Sequence, residues 1–549
     1  MSAPSDTAGH RQDIEAGRTV LGIELGSTRI KACLVSPDGV VLTTGEHRWE
    51  NHWMEGHWTY PLEEVWTGLA ACYEDMAQRA EDAFGARPGS FAALGISAMM
   101  HGYLAFDSAG ELLVPFRTWR DTTTGPAARE LSERLGTNIP LRWSVAHLRQ
   151  AMLDEEPHVS RLEHLTTLAG YVHWKLTGRR VLGVGDASGM FPVDDAGRGY
   201  DRRRMDLLRE LVGDSLPVDV AEVFPEVLRA GEPAGTLTAE GALLLDPSGR
   251  LAPGVALCPP EGDAGTGMVA TNAVRARSGN VSVGTSIFAM VVLDRRLDGG
   301  PPEIDLVATP AGAPVAMVHC NNGADELSRW VELFAEVALA FGTRRTVDPD
   351  EAYAAILTEA LSGEADAGGL LAFNTTSGEP VLGLEDGRAL TVRAPGSSLS
   401  LSNFMRAQVY SAFAALAIGL ELLDGEGTAP EALHAHGGLF RTAGVAQRFL
   451  AAATGTPVAV SRGASEGGAW GIALLAAYLD HAGSSLEDYL QDVVFLHAET
   501  HVVDPRDGDV EGFRRYLSRY REALELQRTA AATVNAPERP TQNPEEQHA

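Results

Sequence analysis

Two short apolar runs split by a turn of glycine and hydroxyl residues occur near the start of the chain and again past its midpoint. This repeated unit limits the possible fold more than any other feature. Val20–Leu25 and Ile30–Val35 flank Gly26, Ser27 and Thr28, while Val281–Val283 and Ile287–Leu293 flank Gly284, Thr285 and Ser286. Apolar runs of this length bounded by glycine-containing turns read as strands. After the first unit, Pro37, Asp38 and Gly39 mark a turn and Val40–Thr44 a third strand. Leu62, Val65, Trp66, Leu69, Cys72, Tyr73 and Met76 then recur at steps of three and four, which predicts a helix over 62–78. Strands alternating with helices define an α/β protein. The recurrence, at a distance far longer than a solenoid period, points to an internal duplication. A turn-rich stretch, Asp246–Gly254, divides the halves into residues 19–254 and 255–500. Residues 1–18 and 530–549 are polar and poor in apolar side chains, so the first is expected to be a disordered tail and 501–549 a helical extension that ends in another.

Composition narrows the function. The 549 residues carry 74 Asp and Glu against 44 Lys and Arg, a net charge of −30, which argues against nucleic acid or an anionic membrane as partner. Lys31 and Lys175 are the two lysines, and neither follows a glycine, so a Walker-type phosphate loop is absent. Cys33, Cys72, Cys258 and Cys320 form no paired motif, which fits a reducing compartment. The first residues lack the apolar stretch of a signal peptide, and the Val281–Leu293 run is too short to span a bilayer. A cytoplasmic protein is expected.

Five segments carry chemistry. Gly26, Ser27 and Thr28 form a turn whose exposed N–H groups suit phosphate oxygens, and Glu24 at the strand end could orient a hydrated Mg²⁺. A plain hairpin would use the same residues. Asp263 stands among glycines after the apolar run Val255–Cys258, free to accept a hydroxyl proton or approach a metal, although an Asx turn has the same pattern. Gly284, Thr285 and Ser286 repeat the first turn, and two such turns suit two sides of one polyphosphate. Gly437 and Gly438 follow the alternating His434 and His436, and Glu466, Gly467 and Gly468 come later; glycines at a strand end let a flat ring approach the backbone. The two histidines have no third metal ligand nearby. Met100, His101 and Gly102, with Trp119, Arg120 and Asp121, are polar groups in apolar surroundings that could bind hydroxyls, with Trp119 stacking on a sugar face. Gly183 and Gly185 have the wrong spacing to Gly189 for a dinucleotide fingerprint.

Taken in order, these segments resemble the FGGY family of carbohydrate kinases, in the actin-like ATPase superfamily, over about residues 20–480. Gly22–Thr28 is similar to the family's first phosphate turn, Met100–Gly102 and Trp119–Asp121 to its sugar segments, and Gly262–Asp263 to the segment of its catalytic base. Leu176–Gly178 and Asp186–Gly189 are similar to further family segments, Gly284–Ser286 to the second phosphate turn, and Gly437, Gly438 and Glu466–Ala469 to the adenosine region. Three departures stand out: Glu24 where the family usually has Asp, Met99 where it usually has Gln, and Leu439, which cuts short the adenosine glycine run. The resemblance implies two ribonuclease H-like domains around a cleft, the first holding sugar and the second ATP, and Mg²⁺ at Glu24 and Asp263. Asp263 is the expected base. Met100, His101, Gly102, Trp119, Arg120 and Asp121 are expected at the sugar. Gly26, Ser27, Thr28, Lys31, Gly284, Thr285, Ser286, Gly437, Gly438, Glu466 and Gly467 are expected at ATP. The implied reaction is phosphorylation of a ketopentose at its terminal hydroxyl, in a ribulokinase- or xylulokinase-like branch, with L-ribulose placed ahead of D-xylulose. A homodimer is a possible assembly, and a non-catalytic actin-like ATP-binding protein is the alternative.

Overall fold

The first predicted hairpin is present in the computed structural model, which describes residues 7–297, 299, 301–341, 348–425, 427–442, 444–461 and 467–534. Val20–Leu25 (β1) and Arg29–Val35 (β2) run antiparallel, and Val41–Arg48 (β3) continues the meander, ending four residues beyond the apolar run because Glu46 and His47 still pair with β2. A separate hairpin, His52–Met54 (β4) and His57–Thr59 (β5), leads into the predicted helix. That helix spans Leu62–Phe84 and ends at Gly85, whose φ of 68° suits glycine and whose N–H caps the Glu81 carbonyl at 2.8 Å. Ala93–Ala98 (β6) lies parallel to β1.

Two ribbons follow outside this sheet. Leu104–Phe106 (β7) pairs with His164–Thr166 (β8), and Val181–Gly183 (β9) with Glu226–Leu228 (β10). Ala256–Leu257 (β11) and Glu261–Gly262 (β12) then return to pair with β6, giving the order β11-β6-β1-β2-β3. The second sheet repeats the plan. Ser278–Val283 (β13) and Ile287–Val292 (β14) form an antiparallel hairpin, and Ile304–Ala308 (β15) and Pro314–Cys320 (β16) extend it. Leu370–Phe373 (β17) and Leu390–Arg393 (β18) form a small ribbon. Ala432–Gly437 (β19) lies parallel to β13, followed by Val458–Ser461 (β20) and Thr500–Val503 (β21), in the order β15-β16-β14-β13-β19-β20-β21. Each half thus has the hairpin that the duplicated sequence unit predicts, and the structure adds a parallel strand against its first arm.

Three expectations are corrected. First, β11 and β12 keep residues 256–262 in the first sheet, so the chain leaves that sheet after Gly262 rather than near residue 254. Second, the helix Gly467–Ala477 comes back from the second half to lie on β1, β2 and β6. Gly22 and Gly95 leave the groove it occupies: a methyl on Gly22 would stand 2.1 Å from the Ala469 carbonyl, and one on Gly95 2.6 Å from Ile472. Third, the leading segment is structured from Thr7 to Glu15 as a helix, because Ile14 is buried and His10 meets Phe84 edge-on.

The helix Leu401–Gly425 is long and apolar enough to cross a membrane, but 78% of its most apolar stretch is buried inside the protein, as befits a core helix. Its Arg406, together with Arg448 of the helix Val445–Thr454, pairs with Asp509, pinning the helix Asp507–Glu522 to the second half. The hairpin β15–β16 ties the halves together. The Ala308 N–H donates to Ser188 Oγ at 2.9 Å, and Asp305 pairs with Arg142 and takes the Asn138 amide at 3.1 Å.

Candidate active site

Asp263 opens the helix Asp263–Ala270, with Gly262 of β12 just before it. Its Oδ1 accepts the N–H of Ala264 at 2.9 Å and that of Met100 at 3.1 Å. The second bond joins the expected base to the expected sugar segment. Burial raises the Asp263 carboxyl above the usual carboxylate range, and these amides draw it back.

Glu24 lies in register with Lys31 on β2 and Ser97 on β6. Its carboxylate takes the N–H groups of Ala469 and Gly468 at the positive end of the Gly467–Ala477 helix. Burial first, and then the charge of Asp263, push it up to about 7. A methyl on Gly468 would lie 2.3 Å from Glu24 Oε1, so glycine makes room for the longer acid. Mg²⁺ takes one or two carboxylates and fills its remaining positions with water and phosphate oxygens. Glu24 and Asp263 fit that donor set, two oxygen ligands whose mutual repulsion a cation would relieve. Among the described residues no group of three or more His, Cys, Asp or Glu side chains forms a protein-only cage.

The two hydroxyl turns occupy equivalent hairpin ends. In the first, the Gly26 N–H closes on the Arg29 carbonyl at 2.9 Å, and Ser27 and Thr28 are exposed. Trp49 and Tyr60 support it from behind, donating to the carbonyls of Gly26 and Ser27 at 2.8 and 2.7 Å. In the second, the Gly284 N–H closes on the Ser286 carbonyl at 2.9 Å, while Gly323 and Ala324 donate to the carbonyls of Thr285 and Gly284. Gly437 ends β19 beside this turn: it pairs with Val283 at a φ of 108°, and a methyl there would strike the Val283 carbonyl at 2.2 Å. Gly438 faces open space. Gly467 lies beside Glu24, with its Cβ position 3.9 Å from Oε2. Glu466 falls outside the described residues.

In the sugar segment His101 has a φ of 73°, a strained value for a side-chain-bearing residue, and Gly102 follows at 102°. The pair turns the His101 Nδ1 onto the Gly189 carbonyl at 3.1 Å. Burial, and then Arg142, hold the ring pKa well below its usual value, so it stays neutral with Nε2 as acceptor. Met100 and Asp121 are buried, whereas Trp119 and Arg120 are exposed, with the guanidinium 4.9 Å from the Trp58 ring centre.

Sequence reasoning missed a buried acid pair behind the base. Glu261 accepts the N–H groups of Gly185 and Asp186 at 3.2 and 2.8 Å, and Asp186 accepts the Thr167 hydroxyl at 2.6 Å. Burial pushes Asp186 up to about 7; burial and the Asp186 charge push Glu261 up to about 8. The signal was Gly183 and Gly185, whose Cβ positions lie 2.1 and 2.4 Å from the Glu261 carboxylate. Their spacing suits an acid, not a nucleotide.

Residues 19–246 match the N-terminal domain of the FGGY family of carbohydrate kinases, and residues 279–479 match its C-terminal domain. The xylulose kinase of Lactococcus lactis is 24% identical over 237 residues, 40% of this chain and 43% of that protein, so the match spans less than half of that relative's length. Among solved structures, ligand-bound xylulose kinase from Lactobacillus acidophilus superposes with a TM-score of 0.76 at 16% identity, covering 94% of this chain and 99% of the other. Gluconate kinase from the same organism gives the same score, identity and coverage. The two halves therefore have the actin-like, ribonuclease H-like form. With both of its domains matched in order, the chain belongs to the FGGY family of carbohydrate kinases.

Proposed function

We propose that the chain transfers the γ-phosphoryl group of ATP to the terminal hydroxyl of a ketopentose, with D-xylulose the preferred acceptor. The observation that carries this reading is the bond between Asp263 and the Met100 N–H, which fixes a buried carboxylate against the sugar segment. In the step, Asp263 accepts the proton of the terminal hydroxyl as its oxygen bonds to the γ-phosphorus. The bond from that phosphorus to the β–γ bridging oxygen breaks, and ADP leaves. The turns at Gly26–Thr28 and Gly284–Ser286 orient the phosphates, and His101 Nε2 accepts a sugar hydroxyl. Glu24 and Asp263 would hold Mg²⁺, which when bound supplies charge neutralisation at the phosphates.

L-Ribulose led the sequence reading, but the curated relatives are xylulose kinases, and this supports placing D-xylulose first. The test is ADP release with ATP and Mg²⁺ against D-xylulose, L-ribulose, D-ribulose, L-xylulose, xylitol, glycerol and gluconate. D-Xylulose should give the highest kcat/KM. Turnover with none of the seven, in protein that binds ATP, would overturn the assignment in favour of a non-catalytic ATP-binding protein.

A further inference from the structure

Asp121 was expected to meet the sugar directly, yet its carboxylate is already engaged. Oδ1 accepts the N–H of Thr123 at 2.8 Å and its hydroxyl at 2.7 Å, and Oδ2 is bonded by Nδ1 of His57. The Asp121 side chain is 1% exposed and that of His57 20%. His57 sits on β5, in a hairpin that is also tied to the sugar segment by the Thr118 N–H on the Trp58 carbonyl at 3.2 Å. A ring whose Nδ1 donates to a carboxylate presents Nε2 as an acceptor on its open side.

The surroundings suit a polyhydroxy ligand. The Arg120 guanidinium lies over the rings of Trp58 and Trp119, 4.9 and 5.8 Å from their centres, and Trp119 is 38% exposed. Among the described residues, the fully buried His147 finds no hydrogen-bond partner for either ring nitrogen. The charges of Asp121, Arg117 and Glu156 act on it. A buried imidazole without partners calls for a polar ligand or the water that accompanies one.

We propose that His57, oriented by Asp121, reads a hydroxyl of the acceptor through Nε2, and that Asp121 is its holder rather than a sugar ligand. The inference rests on the sugar-kinase reading and assigns it a specificity residue.

The test uses the pair His57→Asn and His57→Gln. An Asn amide can still serve Asp121 in place of Nδ1 but has nothing at the Nε2 position, which a Gln amide reaches. His57→Asn should raise KM for the preferred sugar by about tenfold or more, the usual scale for one lost hydroxyl partner. KM for ATP and the melting temperature should not move, and His57→Gln should recover most of the sugar affinity. An unchanged sugar KM in His57→Asn, or identical losses in both variants, overturns the role of Nε2 while leaving the kinase assignment intact. A parent enzyme that phosphorylates no sugar of the panel overturns the kinase reading and this inference with it.

Discussion

Oδ1 of Asp263 accepts the backbone N–H of Met100 at 3.1 Å, so the proposed proton acceptor is tied directly to the segment ahead of His101. A substitution that keeps an oxygen at that place should leave the sugar site assembled. Asp263→Asn keeps the acceptor but loses the base. Its kcat should fall by about 10²–10⁴, the range for general-base removal, with sugar affinity by calorimetry close to the parent's. A kcat near normal would refute the role of Asp263.

Gly468→Ala should disable the site from outside it. The added methyl would stand 2.3 Å from Glu24 Oε1 and force that carboxylate away from the Gly468 and Ala469 amides. The Mg²⁺ concentration for half-maximal turnover should rise by about tenfold, on the scale of losing one charge-assisted interaction. An unaltered Mg²⁺ dependence would separate Glu24 from the cation.

Stability should depend on pH through Asp186. Burial raises its folded-state pKa to about 7, above the 3.8 of an ordinary Asp. Its contribution is therefore fully present below the unfolded value and is lost as pH rises through the folded one. Between those limits the loss approaches about 1.4 kcal/mol per pH unit. Asp186→Asn lacks this titration. Urea denaturation at pH 5 and pH 7 should show the variant gaining on the parent at the higher pH, and an equal difference at both would contradict the prediction.

Asp509→Ala should weaken the second half. Arg406, whose side chain is 2% exposed, would lose its carboxylate partner. Breaking a buried pair this way costs about 3–5 kcal/mol, measurable as a lower urea midpoint, with kcat unchanged in the protein that stays folded.

The repeated hairpins were legible because strand, hydroxyl turn and strand are local patterns, and the turns at Gly26–Thr28 and Gly284–Ser286 followed from them. The boundary was not, because β11 and β12 are two-residue strands whose pairing with β6 is a tertiary event. Asp263 could be singled out among its glycines. Glu261, two residues earlier, could not, since its partners are the Gly185 and Asp186 amides, some 75 residues away in sequence. Asp121 was found as a polar residue in the right segment. That His57 occupies its carboxylate depends on a hairpin 64 residues earlier, which no spacing rule connects to it.

The helix Gly467–Ala477, lying on β1, β2 and β6, has a consequence for how the protein is made. A ribosome releases β12 roughly 200 residues before that helix, a delay of about 10–40 s at ordinary elongation speeds. Throughout that interval the groove at Gly22 and Gly95 stands uncovered on a nascent first sheet. The first half is thus completed only after most of the second has been made, and its open groove is the surface a chaperone would guard during synthesis.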